Sequence, residues 1–201
     1  MKLTLRNETP NDYRAVEELL RDAFWDVYAP GCTEHFVAHR LRASANFVPQ
    51  LDFVALQEGR IIGSILYSRA QVTGPQGSDE VLTFGPLGVL PALQGQGAGS
   101  ALIRHTLPLA AALHYRAVII YGNPAYYGRF GFRNAAQFGI TTADGANFDA
   151  FMALELTPGA LAVISGRFLE DAAFEPDDAA FLQYDAAFPP REKHVTDTQL
   201  R

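Results

Sequence analysis

The spacing of apolar residues predicts helices near the start of the chain and hairpin-linked strands after them. Residues 3–6 alternate between apolar and polar, as in a short strand. The Thr-Pro-Asn-Asp stretch from Thr9 supplies a cap, a first-turn proline and a first-turn acid. Apolar residues then recur at helical spacing up to Phe24. A second, shorter helix is expected over residues 34–42.

The pattern then changes to that of antiparallel strands. Residues 53–57 and 60–73 flank a Glu58-Gly59 turn and predict a hairpin. Residues 81–90 predict a further strand, which contains glycine and proline between Gly85 and Gly88. Because such residues occur in strands mainly where pairing is locally broken, a bulge or splay is predicted there.

The second half of the chain predicts alternating helices and strands. A glycine-rich turn after Pro91 leads into a helix, and Pro108 is expected to kink that helix or end it early. The apolar face of this helix is expected at Leu102, Thr106, Leu109 and Leu113. The elements expected after it are a buried strand over residues 117–121, an aromatic helical turn over 125–130, and strands over 133–140 and 151–156.

This order of elements defines a fold class. Strands and helices alternate only in the middle of the chain, and the earlier strands are joined by hairpins. We therefore expect an α/β (α+β) domain with a mixed, mostly antiparallel central sheet and helices on both faces. Residues 1–201 are expected to form one domain, with a core over residues 3–165 and a less regular C-terminal extension over residues 166–201.

The composition is that of a folded protein with its own core. Of the 201 residues 48% are hydrophobic and 19% are charged, and the net charge is -6 with scattered basic residues. The lack of a basic stripe argues against nucleic-acid binding. No stretch reaches the ~18 apolar residues of a membrane span. Cys32 is a single cysteine, which fits a reducing compartment, and a cytoplasmic location is expected.

The most informative stretch runs from Val89 to Ser100, between a strand and a helix. Small residues let a ligand approach the backbone, and successive amides at a helix N-terminus bind anions without Lys or Arg. The dinucleotide fingerprint G-x-G-x-x-G fails, because the sixth residue from Gly95 is Ser100, and the Gly-Lys-Ser/Thr of a P-loop is absent. On the glycines alone, an anion site and a flexible turn at a helix start are both open.

Two motifs together resemble those of the GCN5-related N-acetyltransferases. The first is an apolar strand ending in Val-x-Pro and followed by Gln-x-x-Gly-x-Gly, and it is matched by Val89, Pro91, Gln94, Gly97 and Gly99. The second is Tyr-x-x-x-Gly-Phe after the fifth strand, and it is matched by Tyr127, Gly131 and Phe132. The strings over residues 123–132 and 156–161 resemble the YhbS-like branch of predicted acetyltransferases. The layout of residues 3–165 fits the family, and the specific part of the resemblance lies in residues 84–132.

The resemblance implies a splayed fourth and fifth strand, with the pantetheine arm of acetyl-CoA inserted as if it were another strand. Gly85, Pro86 and Gly88 would break pairing there and free backbone groups for the arm. The amide of Val89 or a neighbour would polarise the thioester carbonyl. Acetyl-CoA is expected as co-substrate, with no metal. The residues expected to bind it are Leu87, Gly88, Val89, Gln94, Gly95, Gln96, Gly97, Ala98, Gly99, Ser100 and Asn123.

The resemblance also assigns a catalytic role to Tyr127, which would carry a proton to the departing CoA thiolate. A phenol suits this role because its reference pKa of about 10 lies near that of an alkyl thiol. The alternatives are that Tyr127 only packs in the core, or that Tyr126 carries the proton.

The sequence leaves the general base open. Residues 83–88, where many relatives place a carboxylate, hold no titratable group. The proton would pass through water to Glu34, Glu80 or His114, or the amine would arrive neutral. Each of these three residues is more simply explained as a solvated surface group.

Several other side chains have two interpretations. Asn123 either binds the cofactor arm or caps the next helical turn, and Arg104 either reaches a phosphate or is simply exposed. Phe24, Trp25 and Tyr28 cluster where an acceptor pocket is expected, although an aromatic cluster is first of all core.

The predicted function is transfer of an acetyl group from acetyl-CoA to a primary amine by direct attack in a ternary complex. Cys32 lies apart from the motifs, and no Cys/His pair suggests a covalent acyl-enzyme. The expected acceptor is a small-molecule or peptide amine, and the chain is compatible with a homodimer. One alternative is a non-catalytic acyl-CoA-binding or regulatory module. Another is a different nucleotide-binding α/β domain, although the broken G-x-G-x-x-G spacing argues against it.

Overall fold

A computed structural model describes residues 3–75, 77–175, 177–197 and 199 of the chain, and these residues form one sheet of nine strands. The strands are β1 (Thr4–Asn7), β2 (Phe53–Gln57), β3 (Arg60–Gly74), β4 (Gly77–Val89), β5 (Ala117–Tyr121), β6 (Arg133–Asn134), β7 (Ile140–Thr141), β8 (Phe151–Glu155) and β9 (Gly166–Leu169). The helices are α1 (Tyr13–Phe24), α2 (Glu34–Ala43), α3 (Ala98–Ala112), α4 (Pro124–Tyr127) and α5 (Asp178–Asp185).

The sheet is mixed and mostly antiparallel, as predicted. Its order is β1-β2-β3-β4-β5-β8-β6, and β9 lies beside β3 and β7. Among the strands that the structure describes, the parallel pairs are β4–β5 and β7–β9, and every other pair is antiparallel.

Helices cover both faces of the sheet, which confirms the predicted layers. Neighbouring residues of a strand point to opposite faces. On β3, Leu66 joins the cluster that contains Val16 and Leu20 of α1, whereas Ile65 joins the cluster that contains Leu102 of α3. Each of these five side chains is fully buried.

The predicted first helix has a tighter first turn than expected. Pro10–Asp12 is a 3-10 turn, and the α-helix starts only at Tyr13. The Thr9 N–H donates to the Asp12 carboxylate at 2.9 Å, so the predicted cap forms on this turn.

Of the two effects predicted for Pro108, an early end of α3 is wrong, because the helix continues to Ala112, and a kink stays a prediction. Pro108 and Arg104 both face solvent. Water can therefore satisfy the Arg104 carbonyl, which loses its helical partner at the proline. The predicted apolar face is also shifted, since Leu113 is 42% exposed and the buried face includes Ile103 and Ala110.

The strand predicted over residues 133–140 is wrong as well. Its ends form β6 and β7, and the 3-10 turn Ala135–Phe138 lies between them. The Asn134 side chain accepts the Ala136 N–H at 2.9 Å and starts this turn, while Gly139 ends it with a φ of 67°. The prediction followed the apolar residues and missed these two turn signals.

The predicted irregularity of β4 is confirmed. Tyr67 of β3 pairs with Phe84 and Ile65 pairs with Leu87, so the two residues Gly85 and Pro86 oppose one residue of β3. The Gly85-Pro86 peptide bond is cis.

The C-terminal part contains regular elements as well as loops. β9 pairs with β3, and α5 rests on α2, where the Phe36 and Tyr184 rings lie 5.0 Å apart. The division of the single domain into a core and an extension at residue 165 stays a prediction. None of the described helices is long and apolar enough to span a membrane.

Candidate active site

A gap opens between β4 and β5 beyond their single pair, Leu82–Val118. The Leu90 N–H donates to the Ile62 carbonyl of β3 at 2.9 Å. Backbone groups of successive residues in a strand point to opposite edges, so those of Val89 and Leu87 face the gap. The Val89 carbonyl there accepts a hydrogen bond from Gln94 Nε2 at 3.1 Å. The Leu87 groups and the Val89 N–H are directed into the gap where the cofactor arm is predicted.

The glycine-rich turn stands at the mouth of this gap. Gly95 and Gly97 have left-handed φ values of 74° and 97°, and Gly97 is the N-cap of α3. A side chain built on either glycine would meet no atom within 4 Å. The N–H groups of Ala98, Gly99 and Ser100 have no partner inside the helix because they form its first turn. This open, amide-rich surface has the character of an anion site.

Gly88 and Gly99 also let neighbouring helices pack closely. A Cβ on Gly88 would lie 2.6 Å from Leu20 Cδ2, so the glycine lets α1 rest on β4. A Cβ on Gly99 would lie 2.9 Å from the Tyr126 hydroxyl, so this glycine lets α4 approach α3. The Gln96 side chain donates to the Ala92 carbonyl at 3.2 Å and holds the turn.

Tyr127 lies across the gap from β4. Its ring is 5.8 Å from that of Phe84 and 5.8 Å from that of Phe132, and it lies against Gly122, where any side chain would overlap it. Burial raises the pKa of Tyr127 well above its usual range, and the charges of Tyr126 and Tyr28 act in the same direction. Tyr127 is therefore a neutral phenol at neutral pH, which is the form that can donate a proton.

Tyr126 points the other way, toward α3. Its hydroxyl reaches Gly99, and its ring meets that of Phe130 edge to face at 5.5 Å. The Arg129 guanidinium lies 4.6 Å above the same ring. Of the two tyrosines, Tyr127 is the one that faces β4.

A cavity of about 170 Å³ lies between α1, α2 and the C-terminal segment. Its walls include Phe24, Tyr28, Cys32, Glu34, Phe181 and Lys193. Burial raises the pKa of Tyr28, and the charge of Glu34 raises it further. Phe24 of the cavity wall follows Ala23, and a Cβ on Gly88 of β4 would lie 3.5 Å from Ala23 Cβ, so the cavity adjoins the β4 side of the gap.

Among the three proton acceptors left open by the sequence, Glu34 is the one placed at this cavity. Burial raises the pKa of Glu34, and its carboxylate accepts the Thr33 N–H at 3.0 Å. Glu80 lies seven residues before Leu87 on β4, roughly 23 Å along an extended strand. His114 follows the far end of α3, about 25 Å from Gly97 at the rise of a helix. The structure does not bring Glu80 or His114 to the site.

The other ambiguous side chains make contacts within the protein, and cofactor binding by Asn123 stays a prediction. The Asn123 Oδ1 accepts the Ala125 N–H at 2.9 Å and caps α4. The Arg104 guanidinium lies 5.3 Å from the centre of the Phe130 ring. Trp25 was expected beside the acceptor but is buried, and its indole N–H donates to the Glu192 carbonyl at 3.0 Å. Phe24 and Tyr28 do line the cavity.

Sequence reasoning missed a Cys–His–Asp cluster. Cys32 Sγ lies 3.7 Å from His35 Nδ1, and His35 Nε2 lies 3.0 Å from the Asp185 carboxylate. The expectation that no Cys/His pair exists is therefore wrong, and the spacing of three residues from Cys32 to His35 at the start of a predicted helix was a usable signal. Burial raises the pKa of the Cys32 thiol to about 12, which disfavours the nucleophilic thiolate. Within the described residues no group of three or more His, Cys, Asp or Glu side chains could hold a metal ion, and a reaction without metal stays a prediction.

The fold and the two motifs define an acetyltransferase. The family model of the acetyltransferase (GNAT) family matches residues 14–132, which is more than half of the chain. The chain therefore belongs to this family, and the predicted family and class of enzyme are confirmed.

Individual relatives agree with this assignment. The uncharacterized N-acetyltransferase YhbS of Escherichia coli K12 is 31% identical over 166 residues, or 82% of this chain and 93% of that protein. YjhQ of the same organism is 35% identical over 88 residues, and the match spans 49% of its length.

Two solved structures share the fold. Escherichia coli YhbS in complex with CoA has a TM-score of 0.78 at 28% identity, covering 88% of this chain and 93% of that one. A GNAT family acetyltransferase from Brucella melitensis in complex with acetyl-CoA has a TM-score of 0.69 at 27% identity, covering 86% and 98%.

Proposed function

We propose that this protein transfers the acetyl group of acetyl-CoA to a primary amine by direct attack in a ternary complex. The observation that carries the proposal is the position of Tyr127, a neutral phenol that faces β4 across the open gap. The CoA and acetyl-CoA complexes of the two related structures support the choice of cofactor. A small-molecule or peptide amine is the proposed acceptor, and a cytoplasmic location and a homodimer remain expectations.

The cofactor site follows from the backbone. The Leu87 groups and the Val89 N–H would bind the pantetheine arm as strand partners. The open turn from Gly95 to Ser100 would bind the pyrophosphate through its amides. The Val89 N–H or a neighbouring one would also stabilise the negative charge that develops on the thioester oxygen, since a backbone N–H can polarise a carbonyl.

The reaction needs a proton donor for the departing thiolate sulfur and a proton acceptor for the amine nitrogen. The amine nitrogen attacks the acetyl carbonyl, the C–N bond forms and the C–S bond breaks. Tyr127 gives its phenolic proton to the departing thiolate. Glu34, at the wall of the adjoining cavity, takes the proton that the amine loses, directly or through water.

Direct attack is favoured over a covalent acyl-enzyme by the state of Cys32. The thiol lines the cavity, but burial raises its pKa to about 12, so little thiolate exists at neutral pH. A non-catalytic CoA-binding module stays the second candidate, because the cofactor surface is formed by backbone groups that do not require turnover.

The test combines binding and turnover. Calorimetric titration should detect acetyl-CoA and CoA but neither ATP nor NAD, and an amine panel should release free thiol from acetyl-CoA. Tyr127→Phe keeps the ring between Phe84 and Phe132 and deletes only the hydroxyl, so kcat should fall about a hundredfold with a nearly unchanged KM for acetyl-CoA.

Tyr126→Phe is the matched control, because its hydroxyl reaches Gly99 on α3 and its ring stays packed on Phe130. Near-normal kcat in both variants would make Tyr127 a packing residue. A loss of kcat in Tyr126→Phe alone would identify Tyr126, and not Tyr127, as the proton donor. Acetyl-CoA binding without thiol release for any amine would favour the non-catalytic module.

A further inference from the structure

Lys193 brings a primary amine of this chain to the wall of the cavity that contains Tyr28 and Glu34. A Cβ on Gly31 would lie 2.9 Å from Lys193 Cε and 3.3 Å from Nζ, so the end of the lysine lies against this glycine. Nζ is also 5.8 Å from the centre of the Phe181 ring. Gly31 has no side chain that could block this position.

The residues on both sides of Lys193 are anchored to the end of α1 and to the loop after it. The Glu192 carbonyl accepts the Trp25 indole N–H at 3.0 Å. His194 Nδ1 lies 3.0 Å from the Asp26 carboxylate. The lysine is therefore held over the cavity from both directions, and its location does not depend on its own contacts alone.

The groups around Nζ match those that the proposed reaction needs. Glu34 lines the same cavity and can take the proton that the nitrogen loses. Phe24 of the cavity wall follows Ala23, which lies against Gly88 on β4 beside the backbone groups proposed to hold the cofactor arm. Lys193 itself is exposed and has no ion pair among the described residues. Among the described residues no carboxylate therefore holds this nitrogen in an ion pair, which leaves the amine available as an acceptor.

We propose that Lys193 is an acceptor in cis, so that the protein acetylates its own C-terminal segment at this lysine. The proposal rests on the proposed function and names one substrate of that same site. The neutral Nζ attacks the carbonyl of acetyl-CoA, the C–N bond forms, and the C–S bond breaks. The thiolate takes the Tyr127 proton, the proton lost by nitrogen passes to Glu34, and the products are CoA and Nε-acetyl-Lys193.

The sequence makes this modification easy to measure. The chain contains two lysines, Lys2 and Lys193. Acetyl-CoA also acetylates amines slowly without an enzyme, and Lys2 reports that background in the same sample. An amine held beside the thioester gains from its high effective concentration.

The experiment incubates the full chain with acetyl-CoA and follows both lysines by peptide mass spectrometry. Acetylation of Lys193 should be more than about a hundredfold faster than that of Lys2, with a rate per molecule independent of protein concentration. Lys193→Arg keeps the positive charge and removes the acceptor, so it should lose the modification. Tyr127→Phe should slow acetylation of Lys193 about a hundredfold and leave Lys2 unchanged.

The outcomes separate the two proposals. If amines release thiol but Lys193 reacts no faster than Lys2, acetylation in cis is refuted and the proposed function stands. A rate per molecule that rises with protein concentration also refutes it, because the acceptor then comes from another molecule. If neither thiol release nor acetylation occurs, both proposals fail.

Discussion

Replacement of Gly97 by valine tests whether the turn before α3 binds the cofactor. Gly97 is an N-cap with a φ of 97°, and open space lies above it. Valine cannot adopt this φ without strain, and its methyl groups would project into the space proposed for the pyrophosphate. The substitution should therefore act on both stability and binding.

The two effects can be estimated separately. A left-handed φ costs a residue with a side chain roughly 1–2 kcal/mol. For a chain of this size each kcal/mol lowers Tm by about 2–4 °C, so Tm should fall by about 2–8 °C. Loss of the phosphate contact should weaken acetyl-CoA binding by more than about tenfold, or about 1.4 kcal/mol.

Gly159 supplies a matched control at the other end of the sheet. It is also the N-cap of a short helical turn, has a φ of 79°, and would present a side chain to open space. It follows β8, whose last residue, Glu155, pairs with the first residue of β5. Gly159→Val should lower Tm by a similar amount without changing acetyl-CoA affinity.

The assay is a thermal melt and a calorimetric titration of both variants. If Gly97→Val stays folded and binds acetyl-CoA as the wild type does, the turn is not the pyrophosphate site. If both variants lose affinity equally, the effect reflects stability alone.

Three further substitutions test the chemistry and the pH dependence. Cys32→Ala should keep kcat within a few fold in the thiol-release assay, because direct attack does not use the thiol; complete loss of activity would point to an acyl-enzyme. Glu34→Gln should lower kcat/KM for the amine and remove the decline in rate at acid pH, since burial raises the pKa of Glu34 and protonation ends its role as a base; an unchanged pH profile would assign that role elsewhere. Burial, and then the charges of Glu175 and Asp171, raise the pKa of Glu170 to about 7, so the folded protein holds this proton more tightly than the unfolded chain and loses stability as the pH rises from about 4.3 to about 7. Glu170→Gln should flatten that decline in urea unfolding at a series of pH values, and an identical decline in both proteins would contradict the assignment.

The sequence predicted the elements that carry strong local signals. The cap at Thr9, the helix up to Phe24 and the irregularity at Gly85 are all present, because each depends on neighbouring residues. The prediction of a strand over residues 133–140 was wrong because the cap at Asn134 and the left-handed Gly139 outweigh the apolar residues between them. The early helix end predicted at Pro108 is absent, since an exposed helix face lets water replace the lost hydrogen bond.

The candidate site was predictable only where one segment forms it. The turn from Gly95 to Ser100 follows β4 directly, so its motif identifies it. The contact of Gly88 with Leu20 and the approach of Asp185 to His35 join residues far apart in sequence. No local pattern specifies such contacts, and the cavity that includes Lys193 was not predicted for the same reason.

The anchoring of the C-terminal segment on α1 has a consequence for how the protein is made. Arg21 of α1 donates to Asp185 at 2.9 Å and to the Pro189 carbonyl at 3.1 Å, and the first of these partners is 164 residues away in sequence. At a synthesis rate of about 5–20 residues per second, Arg21 is made roughly 8–33 s before that partner. During this interval Arg21, Trp25 and His35 lack the contacts that residues 185–192 give them in the folded protein, so the N-terminal layer is completed only when that segment arrives.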